Sequence, residues 1–133
     1  MGATAFQKGL GGIHALSHPV GALYDTHHGI TNAMFTPYVL ANNRAQIEQR
    51  MERLADWLEI GGGFEGIFSY LLELRKQLEI PHTLSQLGVE SPDIDRIATM
   101  ALEDPSAGGN PVALTKTRCV DILEKAVAGD CNL

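Results

Sequence analysis

Four of the chain's five histidines, His14, His18, His27 and His28, fall within fifteen residues of the segment GLGGIHALSHPVGALYDTHHG. A neutral imidazole is a good donor to a transition metal, and near neutral pH it also carries protons. On a continuous helix His14 and His18, four apart, lie on one face a turn from each other. A chain reversal at Asp25-Thr26 would bring His28 back over that face, so two or three imidazoles could share an ion. The remaining ligands would then come from water, from a carboxylate such as Asp25, or from outside this chain. The spacing also admits a plainer reading, in which each histidine is a hydrogen-bonded core or surface residue. No HExxH and no CxxC is present to decide between them.

The elements that must position this cluster read as helices. Phe6, Leu10, Ile13, Leu16, Val20 and Leu23 recur at spacings of three and four, predicting a helix over 4–24. Gly9, Gly11 and Gly12 each weaken an isolated helix by roughly 1 kcal/mol relative to alanine. They imply close packing there, or a helix that starts only after them. Pro19 should bend this helix or free the carbonyl near Ala15. Ile30 to Leu40 is short and almost wholly apolar, and is read as a buried helix rather than a strand. Asn42-Asn43 closes it. Ala45 to Ile60 is amphipathic, with Ile47, Met51, Leu54, Ala55 and Leu58 facing inward.

Gly61 to Gly63 break the pattern. Phe64 to Leu78 resumes it, with Ile67, Phe68, Leu71, Leu74 and Leu78 as core, and Ile80-Pro81 stops it. Thr83 to Gly88 suggests one short helical turn. Ser91 is a candidate cap with Pro92 in the first turn of a helix to about Leu102. Asp104 to Pro111 reads as a loop, and Thr115 as the cap of a last helix to about Val127. No alternating strand pattern occurs. The expected fold is all-α, a compact multi-helix domain of about five to seven helices, with 1–133 a single helical domain.

The chain has 133 residues, 16 acids against 10 lysines and arginines, and a formal charge of −6. With no basic run and scattered aromatics, nucleic acid is not expected as a partner. Neither a leader nor an apolar run near membrane length is present, so no membrane partner is expected and a cytoplasmic location is. Cys119 and Cys131 read as reduced thiols, a single disulfide being the other option. Gly9, Gly11 and Gly12 lack the order and the strand context of a nucleotide fingerprint.

The segment through Asn43 closely resembles the histidine-bearing stretch of the iron-containing, group III alcohol dehydrogenases. The elements that match are Gly9-Leu10-Gly11, His14-Ala15, His18-Pro19, Gly21, His28-Gly29, Asn32-Ala33, Pro37 and Asn42 or Asn43. More weakly, Ile80-Pro81, Leu84 and Leu87-Gly88-Val89 resemble a later family element, and Asp104 to Leu114 resembles its D…N-P-x-x-L close. The similarity covers essentially the whole chain.

This resemblance implies roles that spacing alone does not. His14 and His28 fall on two of the family's four metal-binding positions. His18 falls on the histidine near nicotinamide and substrate, which implies a catalytic and cofactor-binding place. His27 stands where the family commonly has proline and receives no role. The cofactors implied for the complete enzyme are Fe²⁺ or Zn²⁺ and NAD or NADP. The substrate implied is a small alcohol or aldehyde. Family members are much longer. An α/β nucleotide-binding domain comes first, and early helices of the second half supply an aspartate and another histidine to the metal. The chain therefore resembles the C-terminal part of the helical domain, with the nucleotide-binding domain absent. It is expected to be inactive alone and to bind no metal tightly. Its bare faces, expected near His14 to Leu40, would favour a homo-oligomer or association with a missing N-terminal portion. Two other readings are a non-catalytic structural or assembly module, and a small metal-binding protein that completes its site by oligomerisation.

Overall fold

The computed structural model describes Gln7 and residues 9–133. Five α-helices and one 3-10 helix account for the regular structure there, and no strand occurs among the described residues. The helices are α1 (Gly12–Tyr24), α2 (His28–Trp57), α3 (Gly63–Gln77), α4 (Ile94–Glu103) and α5 (Lys116–Ala128), with the 3-10 helix Pro105–Gly109 between α4 and α5. The all-helical expectation holds. α1 packs on α2 and α4, α2 on α3 and α5, and α4 on α5.

α1 begins at the last of the three glycines, and Gly12 is packed closely against Asn110 and Val39, so each of the two options holds in part. Gly9 is left-handed with φ 86°, Gly11 is the N-cap, and Gly12 is the first helical residue. The expected stretch from residue 4 to Phe6 lies outside the described residues. The helix continues through Pro19 to Asp25, which ends it in the left-handed conformation with φ 54°. A left-handed residue at this position lets the chain reverse within three residues, because its N–H still reaches the carbonyl of Gly21.

The expected break at Asn42-Asn43 does not occur, and α2 runs unbroken for 30 residues. Asparagine is a modest helix former, a few tenths of a kcal/mol below the best. Asn43 is buried and exchanges two hydrogen bonds with Asn110, both of 2.8 Å. A buried amide pair outweighs that local preference. The inward face assigned to the second half of α2 is also corrected. Ile47 and Ala55 are buried, but Leu54 and Leu58 are exposed. Leu78, expected in the core, is 63% exposed.

The Gly61–Gly63 break is real, and α3 starts at Gly63. Its tightness depends on Gly66, where an added Cβ would lie 1.9 Å from the Gly61 carbonyl oxygen. Thr83 to Gly88 forms hydrogen-bonded turns rather than a helix. The cap of α4 is Asp93, not Ser91, because its carboxylate accepts from the Arg96 N–H at 3.1 Å. Pro92 thus precedes the helix. The expected loop after Asp104 contains the 3-10 helix, with the Asp104 side chain accepting from Ser106 N–H at 2.8 Å. Thr115 does cap α5, and Gly129 closes it at φ 75°.

The main core gathers Leu16 and Val20 of α1, Met34, Phe35 and Tyr38 of α2, Ile97 of α4 and Ile122 and Leu123 of α5, with Leu84 and Val89 from the intervening turns. A smaller cluster holds Ile47, Phe64 and Phe68 between α2 and α3. Burial of these side chains, at about 25 cal/mol per Å² of apolar surface, favours the packing of α1 on α2.

Candidate metal centre

The reversal at Asp25–His27 lays the start of α2 beside α1. His14 and His18 project from one face of α1, as four-residue spacing on a helix requires. His28, the first residue of α2, completes a triangle of imidazoles. Ring centroids are 5.7 Å apart for His14–His18, 5.2 Å for His14–His28 and 5.3 Å for His18–His28. The last pair is stacked, with 17° between planes.

Asn32, one turn beyond His28 on α2, sits against the cluster. Its Nδ2 lies 3.3 Å from His14 Nε2 and 3.0 Å from His28 Nε2. An amide N–H₂ only donates, so both imidazole nitrogens accept there. Two lone pairs of neutral imidazoles therefore face one point, which is the donor chemistry that a divalent metal uses. Asn32 Oδ1 is buried without a hydrogen-bond partner. The residues thus fit a metal as part of a ligand set. Among the described residues no group of three His, Cys, Asp or Glu is placed to hold a metal ion by itself. Asp25, a candidate carboxylate, caps α1 and makes no ion pair or side-chain hydrogen bond to the imidazoles among the described residues.

The carboxylate that does reach the cluster is Asp104. His18 Nδ1 lies 2.7 Å from Asp104 Oδ2. Burial raises the carboxyl's pKa, but hydrogen bonds from His18 and Ser106 outweigh it and leave the group below its ordinary range. The ionised carboxylate accepts from Nδ1–H, fixing the tautomer that leaves Nε2 of a neutral His18 as an acceptor. His14 is held below the ordinary histidine value by burial first, then by repulsion from His28 and His18, with Asp104 acting in opposition. His14 thus favours the neutral form that a metal needs. His27 stands apart, as the N-cap of α2, its Nδ1 accepting from Ile30 N–H at 3.4 Å.

Asn110 sets where α1 begins. Its Oδ1 accepts from Gly12 N–H at 3.1 Å and from Asn43 Nδ2, and its Nδ2 donates to Val112 O at 2.6 Å. A Cβ at Gly12 would stand 3.0 Å from that Oδ1. An open cleft of about 350 Å³ lies beside His14, lined also by Gly9, Gly12, Val39 and Asn110. Asn32, Asp104 and Asn110 received no role from sequence reasoning. All three did stand inside the matched motifs, Asp104 and Asn110 in the same D…N-P-x-x-L element, and this was the only signal available.

The chain matches the Fe-containing alcohol dehydrogenase family, C-terminal, over residues 1–127. It is 29% identical to the NADPH-dependent butanol dehydrogenase of Clostridium saccharobutylicum, over 93% of this chain and 34% of that protein. It is 35% identical to alcohol dehydrogenase 4 of Saccharomyces cerevisiae strain ATCC 204508 / S288c, over 88% of this chain and 31% of that protein. Among solved structures, 1,3-propanediol oxidoreductase aligns at a TM-score of 0.81 and 31% identity, covering 88% of this chain and 32% of its own. Maleylacetate reductase from Agrobacterium tumefaciens aligns at 0.74 and 27%, covering 93% and 33%. This chain belongs to the iron-containing alcohol dehydrogenase family and corresponds to its C-terminal domain. It spans about a third of the length of the curated relatives it matches. No helix among the described residues is long and apolar enough to cross a membrane.

Proposed function

We propose that the chain is the part of a metal-dependent alcohol dehydrogenase that carries half of the metal ligands and the proton-handling histidine. The complete enzyme would interconvert a small alcohol and its aldehyde with NAD or NADP. The observation that carries this is the convergence of His14 Nε2 and His28 Nε2 on the Asn32 amide, with His18 stacked against His28. His14 and His28 would hold the metal, Fe²⁺ or Zn²⁺. Bound there, the metal would supply Lewis-acid polarisation of the substrate oxygen, and the nicotinamide would supply the hydride chemistry.

The chain's own residues do the rest. Asp104 holds the His18 ring by its Nδ1–H and stabilises positive charge on it. His18 Nε2 can then take the proton released from an alcohol, or return one to the carbonyl oxygen during reduction. Its place beside the ligands suits contact with the nicotinamide side of the substrate. Asn32 spaces the two ligand rings.

The nucleotide-binding part and the other two ligands would come from protein outside this chain, so the chain alone would not turn over. Either a second copy or a separate N-terminal portion would cover it. The test is titration of the purified chain with Zn²⁺ and Co²⁺. Weak binding should appear, lose affinity in His14→Ala and in His28→Ala, and persist in His27→Ala. Binding untouched by the first two substitutions would overturn the assignment. Short alcohols with NAD or NADP and added metal should give no turnover until a separately expressed N-terminal portion is mixed in.

A further inference from the structure

Away from the histidines, α3 carries a charge that nothing in the described structure balances. Arg75 is only 7% exposed, and a guanidinium stays charged in proteins. One terminal nitrogen donates to the carbonyls of Met34 and Pro81, at 3.2 and 3.1 Å. The Nε–H is buried with no acceptor. Among the described residues no carboxylate pairs with it. The two weakly acidic groups nearby stay neutral. Burial raises both the Tyr38 phenol and the Cys131 thiol above their ordinary values, and the Tyr38 hydroxyl donates to the His82 carbonyl. A buried cation without a counter-ion is among the most destabilising arrangements in a protein interior.

The same arginine lines a cavity of about 550 Å³ at the end of α3 and the turn after it. That volume is in the range of small-ligand sites. Leu72, Ile80 and Pro81 give it apolar walls, and Lys76, His82 and Glu79 are its charged or titratable lining. None of these residues belongs to the histidine cluster, so the argument is independent of the metal reading.

We propose that this cavity binds a small organic anion, a carboxylate or phosphate monoester with a short apolar body. Arg75 holds the anionic head, Lys76 adds attraction at the exposed rim, and the apolar walls take the body. Glu79, the one acid in the lining, opposes binding.

The experiment is calorimetric titration and thermal shift of the 133-residue chain with inorganic phosphate, acetate and butyrate, and with butanol as a neutral match. Saturable binding of butyrate or phosphate, absent for butanol, is expected. Phosphate outranking butyrate would assign the head as a phosphate, and butyrate outranking both phosphate and acetate would assign a carboxylate with an apolar body. Arg75→Met should weaken binding about tenfold or more, the scale of hydrogen bonds to charged groups. Lys76→Gln should weaken it about threefold, and Glu79→Gln should tighten it by about the same factor, as exposed charges do. Should Arg75→Met lose its helical circular dichroism, the two rim variants decide, since both leave the arginine in place. An arginine that only ties Met34 to Pro81 would leave the rim variants without effect. No saturable anion binding, or binding unchanged in both rim variants, overturns the proposal.

Discussion

Asn32 puts one N–H₂ group where two imidazole lone pairs meet, and this makes it the most informative single residue of the cluster. A cation on His14 and His28 must compete with that amide. Asn32→Asp, which replaces the donor by a carboxylate, should tighten Zn²⁺ binding on the order of tenfold, the scale on which groups beside metal ligands act. Co²⁺ absorption and calorimetry read this directly, and an unchanged affinity would place the metal elsewhere. His14 supplies a pH dependence whose sign follows from its depressed pKa. The folded state binds this proton less readily than the unfolded state. Stability is therefore fully present above the ordinary histidine value and is lost as pH falls through that value toward the folded one. Thermal melts between pH 7.5 and about 5 should show the loss, and His14→Gln should flatten it. Asp104 carries two tasks, orienting His18 and capping the 3-10 helix. Asp104→Asn, whose amide oxygen can still accept from Ser106 N–H, should leave the cap nearly intact and shift the His18 imidazole resonances. A variant that leaves those resonances in place would mean that Asp104 does not hold the ring.

At the scale of elements, the start of α1 and the middle of α2 are joined through one side chain. Asn110 bonds Gly12 N–H, both polar atoms of the Asn43 amide and Val112 O. Asn110→Ala leaves those partners unsatisfied and should cost about 2–4 kcal/mol in urea unfolding. Because α1 carries His14 and His18, the same variant should also weaken metal binding, which an effect confined to stability would not. The α2–α3 turn has a different requirement. Gly66→Ala would put a Cβ 1.9 Å from the Gly61 carbonyl oxygen, so the turn must open, at a cost of about 1–3 kcal/mol. How this part of the fold was legible depends on the kind of signal. Thr115 announced α5, since a threonine cap acts within three residues. Asn42-Asn43 announced a break that the structure does not contain, since the bond that keeps Asn43 helical comes from 67 residues away.

For the molecule as a whole, the stretch from His14 to Leu40, expected to carry a bare face, divides into a buried side and an exposed one, the latter including His18, Ala22, His28 and Ile30. Leu16, Val20, Met34, Phe35 and Val39 are buried against α4, α5 and the turns between. Ile30 is exposed within that stretch, and the most exposed large apolar side chain is Trp57 at 82%, with Leu58 at 53% beside it at the end of α2. If a second copy covers the chain, sedimentation should show a dimer or larger species, and Trp57→Glu with Leu58→Glu should shift it toward monomer. A monomer at high concentration would argue instead for the separate N-terminal portion as the cover.

What the sequence determined by itself was everything local or patterned. The 3.6-residue apolar period fixed the helical class, and the four-residue spacing placed His14 and His18 on one face. The ordered motif around His14, His18 and His28 carried the family, now shown by the match over residues 1–127. Tertiary structure decided which atoms meet. It brought Asn32 between two imidazoles, Asp104 to His18 across 86 positions, and Asn110 to Gly12 across 98. It also left Arg75 charged and unbalanced at a cavity wall. Those pairings depend on how the helices stack about the core. A side chain's partner at long separation is set by that packing, and local preference contains no information about it.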